Sequence, residues 1–186
     1  MLNQLGHFAW YELLTTDMAA AGAFYGKVIG WAVKDAPSPE LAYTVLGAGE
    51  APVVGLMDLP EEGRRSGATP RWVGYIAVDD LDATVAQISR LGGTIFVPPT
   101  DSNIGRISIV ADPQQATFGL VAGLRYGDRQ PCGLEQPGRV GWHELFAADR
   151  NEVFGFYNGS SIYPVQREYY KTTASFGLRW SLAPER

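Results

Sequence analysis

Residues 6–31 read GHFAWYELLTTDMAAAGAFYGKVIGW, and part of this stretch returns at residues 138–157 as GRVGWHELFAADRNEVFGFY. The identities at a constant shift are Gly6 with Gly138, Trp10 with Trp142, Glu12 with Glu144, Leu13 with Leu145, Asp17 with Asp149, and Phe24 and Tyr25 with Phe156 and Tyr157. An internal repeat defines the unit of folding, so the rest of the chain is compared with this block.

The block predicts a strand, a turn and a helix. Residues 7–16 alternate like a strand, with Phe8, Trp10, Glu12 and Leu14 on one face. Asp17 is suited to cap the following helix, and Gly30 is suited to end it. Three further strands are predicted at residues 31–35, 41–47 and 52–58, which makes the unit one strand, one helix and three strands.

The same order of elements starts again after a polar linker at residues 59–70. A strand over 71–79 leads to Asp80 as a helix cap, and Gly92 and Gly93 end that helix. Strands are predicted at 94–97, 105–111 and 116–122, with a turn at 112–113. Modules at about 6–58 and 71–122 therefore form one domain over residues 1–123.

The third copy begins after a second predicted linker at residues 124–138, which is rich in Gly, Pro and charged residues. It matches the first copy only as far as Tyr157. Residues 139–186 are therefore predicted to hold a partial third module and a divergent tail, too short for a second complete domain.

Composition predicts an ordinary globular protein, with 46% apolar residues. A net charge of −5 disfavours nucleic acid and anionic lipid surfaces as partners. The single cysteine allows no internal disulfide, and no apolar stretch approaches the ~20 residues of a membrane span. The expected location is the cytoplasm.

Several short motifs follow one another in a particular order. They are Thr16-Asp17, Phe24-Tyr25, Gly30-Trp31, Val78-Asp79-Asp80, Leu91-Gly92-Gly93, Gly105-Arg106 and Asp112-Pro113. Together they resemble the vicinal oxygen chelate superfamily of glyoxalase I, bleomycin-resistance proteins and extradiol dioxygenases, and within it the tandem-domain, glyoxalase-like branch with an incomplete second domain. The resemblance implies an α+β fold, in which paired βαβββ modules form a curved mixed sheet around a cleft with the helices outside.

The resemblance also implies a divalent metal held by the first and last strands of both modules. Its ligand positions fall on Trp10, Val73, Gly55 and Gly119, and none of these side chains offers a metal donor. We therefore predict no metal and no other cofactor. The only two histidines, His7 and His143, are predicted to lie at the surface or at a strand edge.

Without the metal, the cleft is expected to bind a small organic molecule, and the two glycines should enlarge its floor. Strand alternation predicts a lining of Phe8, Trp10, Val53, Met57, Val73, Tyr75, Ala77, Thr117 and Val121. The alternative is that these residues only pack the core.

Glu12 is the candidate catalytic residue, because a carboxyl group desolvated beside aromatic rings has a raised pKa and can act as a general base. The alternative is a buried ion pair with Arg71 or Arg106, which would keep Glu12 ionised and inert. Arg106 is also a candidate to bind an anionic substrate.

Three functions follow from these observations. The first is a metal-free binder of a small organic molecule. The second is a glyoxalase-like lyase or isomerase, which uses Glu12 or a metal at other positions. The third is an interaction module, in which residues 139–157 pair with another chain, for example in a homodimer. That segment could instead dock on its own first domain.

Overall fold

The computed structural model describes residues 6–35, 43–126, 137–160, 162 and 178–180. The elements are β1 (Phe8–Thr15), α1 (Met18–Ile29), β2 (Ala32–Asp35), β3 (Tyr43–Ala48), β4 (Ala51–Asp58), α2 (Glu61–Arg65), β5 (Arg71–Ala77), α3 (Leu81–Arg90), β6 (Thr94–Ser102), β7 (Gly105–Ala111), β8 (Thr117–Ala122), β9 (Val140–His143), α4 (Arg150–Gly159) and β10 (Leu178–Trp180). Residues 6–126 form the two-module unit, and residues 138–157 form the third copy.

Eight strands of the two-module unit form one sheet in the order β2-β3-β4-β1-β5-β8-β7-β6. Each module places its first strand at the centre, where β1 and β5 pair antiparallel. The last strand of each module runs parallel to the first, as β4 beside β1 and β8 beside β5. The α+β fold class with paired βαβββ modules is confirmed.

The predicted caps hold the helices in place. Asp17 accepts a hydrogen bond from the backbone of Ala20 at the start of α1, and Asp80 accepts one from Ala83 at the start of α3. These side chains satisfy amide groups that a helix leaves free at its beginning. Gly30 ends α1 at φ 82°, the left-handed conformation that glycine adopts without strain.

Two elements differ from the predictions. The linker at 59–70 contains α2, where Glu61 and Glu62 in the first turn and Arg64 and Arg65 in the last turn suit the helix dipole. Strand β6 continues to Ser102 through two prolines. Proline is tolerated there because β6 lies at the edge of the sheet.

The third copy packs on the helix-bearing face of the two-module unit. Within the described residues, β9 pairs only with β10 and not with the large sheet. The Trp31 indole donates to the carbonyl of Gly138 over 2.6 Å, and Tyr11 Oη and His143 Nε2 are 2.6 Å apart. The segment thus docks on its own domain, and the homodimer stays a prediction.

The loop between β7 and β8 holds the other end of the third copy. The side-chain oxygen of Gln114 accepts hydrogen bonds from the backbone of Ala148 and Asp149, and its amide nitrogen donates to Glu152. Most of the predicted linker 124–138 and of the tail 158–186 lies outside the described residues. No helix in the described part of the chain is long and apolar enough to cross a bilayer.

Candidate functional site

The face of the sheet opposite helices α1, α3 and α4 carries one cluster of buried side chains, here called the concave cluster. Its members are Trp10, Leu14, Tyr43, Val45, Leu59, Val73, Tyr75, Ile104 and Val121. Six partly buried residues pack around it, namely Met57, Ala68, Ile107, Ile109, Leu124 and Tyr126. The other two clusters contain residues of α1, α3 and α4 instead.

Glu12 is the polar centre of this face. It is only 3% exposed. The Tyr43 hydroxyl donates to its Oε1 over 2.8 Å, and the Tyr75 hydroxyl donates to its Oε2 over 2.5 Å. The Trp10 indole in turn donates to the Tyr43 oxygen over 2.9 Å. A chain of donors therefore ends on one buried carboxylate.

Strand register brings these residues together. Across the central pair β1 and β5, Trp10 lies opposite Tyr75 and Glu12 lies opposite Val73. On the outer sides of that pair, Gly55 of β4 lies beside Glu12 and Gly119 of β8 lies beside Tyr75. The centre of the sheet is thus built from equivalent positions of both modules.

The two glycines do not enlarge the floor of the cleft, contrary to the prediction. A Cβ at Gly55 would overlap the hydroxyl of Tyr43, and a Cβ at Gly119 would overlap the ring of Tyr75. The tyrosine side chains fill the space that a larger residue would take at each glycine. The glycines therefore admit the two phenols that bind Glu12.

Burial raises the pKa of the Glu12 carboxyl above its usual range, while the hydrogen bonds from Tyr75 and Tyr43 act in the opposite direction. Burial and the nearby carboxylate also raise the pKa of both phenols, so they stay protonated donors at neutral pH. The predicted ion pair with an arginine is wrong. Arg106 pairs with Asp82 on α3, and Arg71 donates to a backbone carbonyl.

Five of the predicted lining residues lie together. Trp10, Val73, Tyr75 and Val121 belong to the concave cluster, and Met57 packs against it. All come from the four central strands of the sheet. Alternation along regular strands placed them on this face.

Phe8, Val53 and Arg106 lie elsewhere, so those three placements are wrong. A bulge between Phe8 and Trp10 turns Phe8 to the helix-bearing face, where it stacks on His143. The register between β3 and β4 shifts at Val53, which lies between the paired residues Pro52 and Val54. Val53 belongs to the cluster that contains Leu46 and Trp31 on the helix-bearing face. Arg106 pairs with Asp82 on α3. Ala77 pairs with Val121 and Thr117 with Ala111 in the sheet, and their place in the lining stays a prediction.

Sequence reasoning missed Tyr43 and Tyr126. Tyr43 alternates with Val45 in a predicted strand, which was a usable signal for the same face. Tyr126 follows the last strand and stacks on Trp10, with ring centroids 5.7 Å apart. No strand pattern marks its position, because it lies in a loop.

The side chains of this site do not fit the superfamily's metal. The four positions assigned to ligands hold Trp10, Val73, Gly55 and Gly119, and both oxygens of Glu12 are bound by phenols. Among the described residues, no group of three or more His, Cys, Asp or Glu side chains could hold an ion. His7 is exposed, and His143 is half-buried on β9, where its ring stacks on Phe8.

Comparisons with known proteins agree with this fold. A sequence model of the glyoxalase/bleomycin resistance protein/dioxygenase superfamily matches residues 4–120. The chain is 38% identical over 126 residues to the Mycobacterium tuberculosis protein named "Putative glyoxylase CFP32", a match that covers 65% of this chain and 46% of the relative. It is 35% identical over 122 residues to the anthracycline biosynthesis protein DnrV of Streptomyces peucetius, with 66% and 43% covered. The matches thus span less than half of the length of these relatives.

Solved structures show the same fold at low sequence identity. A Mn(II)-bound glyoxalase from Novosphingobium aromaticivorans superposes with a TM-score of 0.59 at 19% identity, covering 84% of this chain and 53% of that one. A homoprotocatechuate 2,3-dioxygenase variant from B. fuscum gives 0.60 at 17% identity, with 84% and 44% covered. At this identity the likeness concerns the fold alone.

Proposed function

Since the chain belongs to the glyoxalase/bleomycin resistance protein/dioxygenase superfamily, we propose that it binds a small organic molecule on the concave face of its sheet without the metal of that superfamily. The observation that carries the proposal is the centre of the sheet, where tyrosines and a glutamate stand in place of metal ligands. Tyr43 and Tyr75 occupy the space beside the glycines and direct their hydroxyl groups at Glu12.

The concave cluster offers the kind of surface that small ligands use. Its members are apolar and aromatic, its polar groups are the Glu12 carboxylate and the donors of Trp10, Tyr43 and Tyr75 that lead to it, and its surrounding residues are partly exposed. Ligand sites are typically apolar concave surfaces with a few placed polar groups. The relatives named for anthracycline biosynthesis support a planar, polycyclic aromatic ligand.

Thermal unfolding with a compound panel tests the proposal. Hydroxylated polycyclic aromatic compounds should raise the melting temperature in a saturable manner, because a ligand that binds only the folded state stabilises it. Aliphatic compounds of equal size should have less effect. Trp10→Leu should abolish the shift, whereas Phe24→Leu, at an exposed position on α1, should retain it. The absence of a shift with every compound would rule the proposal out.

The raised pKa of Glu12 favours a second candidate, proton transfer by a lyase or isomerase. Glu12 would take a proton from a carbon beside a carbonyl group and return it to the same molecule. Incorporation of solvent deuterium into carbonyl compounds, followed by NMR, tests this activity. Exchange that persists in Glu12→Gln would exclude Glu12 as the base.

A further inference from the structure

No described residue forms a salt bridge with the Glu12 carboxylate. Within the described parts of the chain, the salt bridges join Lys34 to Glu50, Arg65 to Glu61 and Arg106 to Asp82, and none includes Glu12. Phenol hydroxyls donate hydrogen bonds to Glu12, but they supply no countercharge. A carboxylate withdrawn from water without a cation is costly, and a cation at this position would relieve that cost.

Aromatic side chains surround the same carboxylate. Trp10, Tyr43 and Tyr75 belong to the concave cluster, and Tyr126 stacks on Trp10. The face of an aromatic ring carries negative electrostatic potential and attracts a cation, most strongly when water is excluded. Tyr43 and Tyr75 direct their hydroxyl groups at Glu12, which leaves Trp10 and Tyr126 as the rings that could offer a face. The rings and the carboxylate therefore favour the same sign of ligand charge.

Glu12 retains hydrogen-bonding capacity for such a ligand. Each of its oxygens accepts one hydrogen bond from a phenol, and a carboxylate oxygen has a second lone pair. Tyr126 and Leu124 are among the partly exposed residues around the cluster.

We propose that the concave cluster recognises an organic cation, an ammonium group on an apolar or aromatic body, with Glu12 as its counterion and Trp10 and Tyr126 as its aromatic contacts. This inference rests on the proposed function and specifies its ligand class. It assigns the Glu12 carboxylate a direct role in selecting the ligand. The neutral groups of the same ligand would contact the surrounding apolar residues.

A matched pair of probes tests the charge requirement. We would titrate the protein with 1-naphthylmethylamine, which is cationic at pH 7.5, and with the neutral 1-naphthylmethanol. The amine should bind at least about tenfold more tightly, since a desolvated ion pair and cation–π contacts are available to it alone. Equal affinity, or tighter binding of the alcohol, would overturn the inference.

Two variants locate the effect. Glu12→Gln should reduce the preference for the amine by about tenfold, whereas Glu61→Gln makes the same chemical change on the exposed α2 helix and should retain it. Tyr126→Leu should weaken binding of the amine more than binding of the alcohol. A preference that survives in folded Glu12→Gln would overturn the role of Glu12.

The wider compound panel separates this inference from the proposed function. If neutral polycyclic compounds bind and the amine does not, the ligand class is wrong while the binding function stands. If neither probe and no panel compound binds, the proposed function fails together with the inference.

Discussion

The first and third copies of the repeated block have the same local structure in different surroundings. In the first copy, β1 lies at the centre of the eight-stranded sheet and Glu12 is buried under two tyrosines. In the third copy, β9 and α4 pack on the outside of the two-module unit. Asp17 and Asp149 cap their helices in the same way.

The matched phenylalanines show what the surroundings change. Phe24 of α1 is 56% exposed, whereas its counterpart Phe156 of α4 is 4% exposed against the cluster that contains Ile88 and Phe118. Local sequence thus determines strand, cap and helix in both copies. Neighbouring elements determine which face is buried and which side chains can do chemistry.

The largest expected difference between the copies concerns these two rings. Phe156→Ala should cost about 3–5 kcal/mol of stability, because it removes a buried aromatic side chain and leaves a cavity. Phe24→Ala should change stability by no more than about 0.5 kcal/mol, as at other exposed sites. Urea unfolding of both variants measures the difference. Equal losses would show that the third copy is not docked as described.

The docking of the third copy should depend on pH through His143. Burial lowers the pKa of His143 to about 4, whereas the unfolded chain binds a proton near pH 6.5. Stability from this group is therefore complete above pH 6.5 and falls as the pH drops toward 4, by on the order of 3 kcal/mol.

Urea unfolding between pH 4 and 7 measures that loss. His143→Gln should remove it, and His7→Gln, which changes the exposed histidine, should retain it. A loss of the same size in both variants would assign it to carboxyl groups instead of His143.

Substitutions of glycine should change stability by a smaller amount, and differently in the central sheet and in α4. Gly55→Ala and Gly119→Ala should each cost about 1–3 kcal/mol, because the new Cβ overlaps Tyr43 or Tyr75. Gly155→Ala in α4 meets no atom within 4 Å and introduces the residue of the first copy, Ala23. It should stabilise the protein by about 0.4–1 kcal/mol. Thermal unfolding that ranks the three variants alike would contradict the described packing.

The smallest expected effect is an opposite pH dependence in the first copy. Since the folded-state pKa of Glu12 is raised, its contribution to stability is complete below pH 4.5 and declines as the pH rises through the folded pKa. Glu12→Gln should remove this decline. At pH 5 the free energy of unfolding of the variant should differ from that of the unmodified protein by about 1 kcal/mol. Glu144→Gln is the matched change in the third copy. A steeper decline in Glu12→Gln would contradict the assigned direction.

Much of the fold could be predicted from local signals. Asp17 and Asp80 marked the helix starts, and the repeat of one strand, one helix and three strands predicted the paired modules. Helix α2 was missed because a short helix in a polar, Gly-containing segment has no apolar periodicity to indicate it.

The site was less predictable, because the positions of its side chains depend on local features of single residues. One bulge near Ala9 reversed the face of Phe8, and no propensity marks such a bulge. The partners of Glu12 depend on ring placement across strands. The sequence alone indicates empty space at Gly55 and Gly119, whereas Tyr43 and Tyr75 fill that space in the structure. Pairings between distant strands are set by the packed structure and not by sequence spacing.

The metal affinity of the purified protein most directly tests the claim that the centre of the sheet holds no metal ion. After incubation with Mn²⁺, Ni²⁺, Zn²⁺ or Fe²⁺ and removal of free ions without chelators, mass spectrometry should find far less than one metal ion per chain. A stoichiometric ion in the unmodified protein that Glu12→Gln releases would contradict the metal-free centre built from Glu12, Tyr43 and Tyr75.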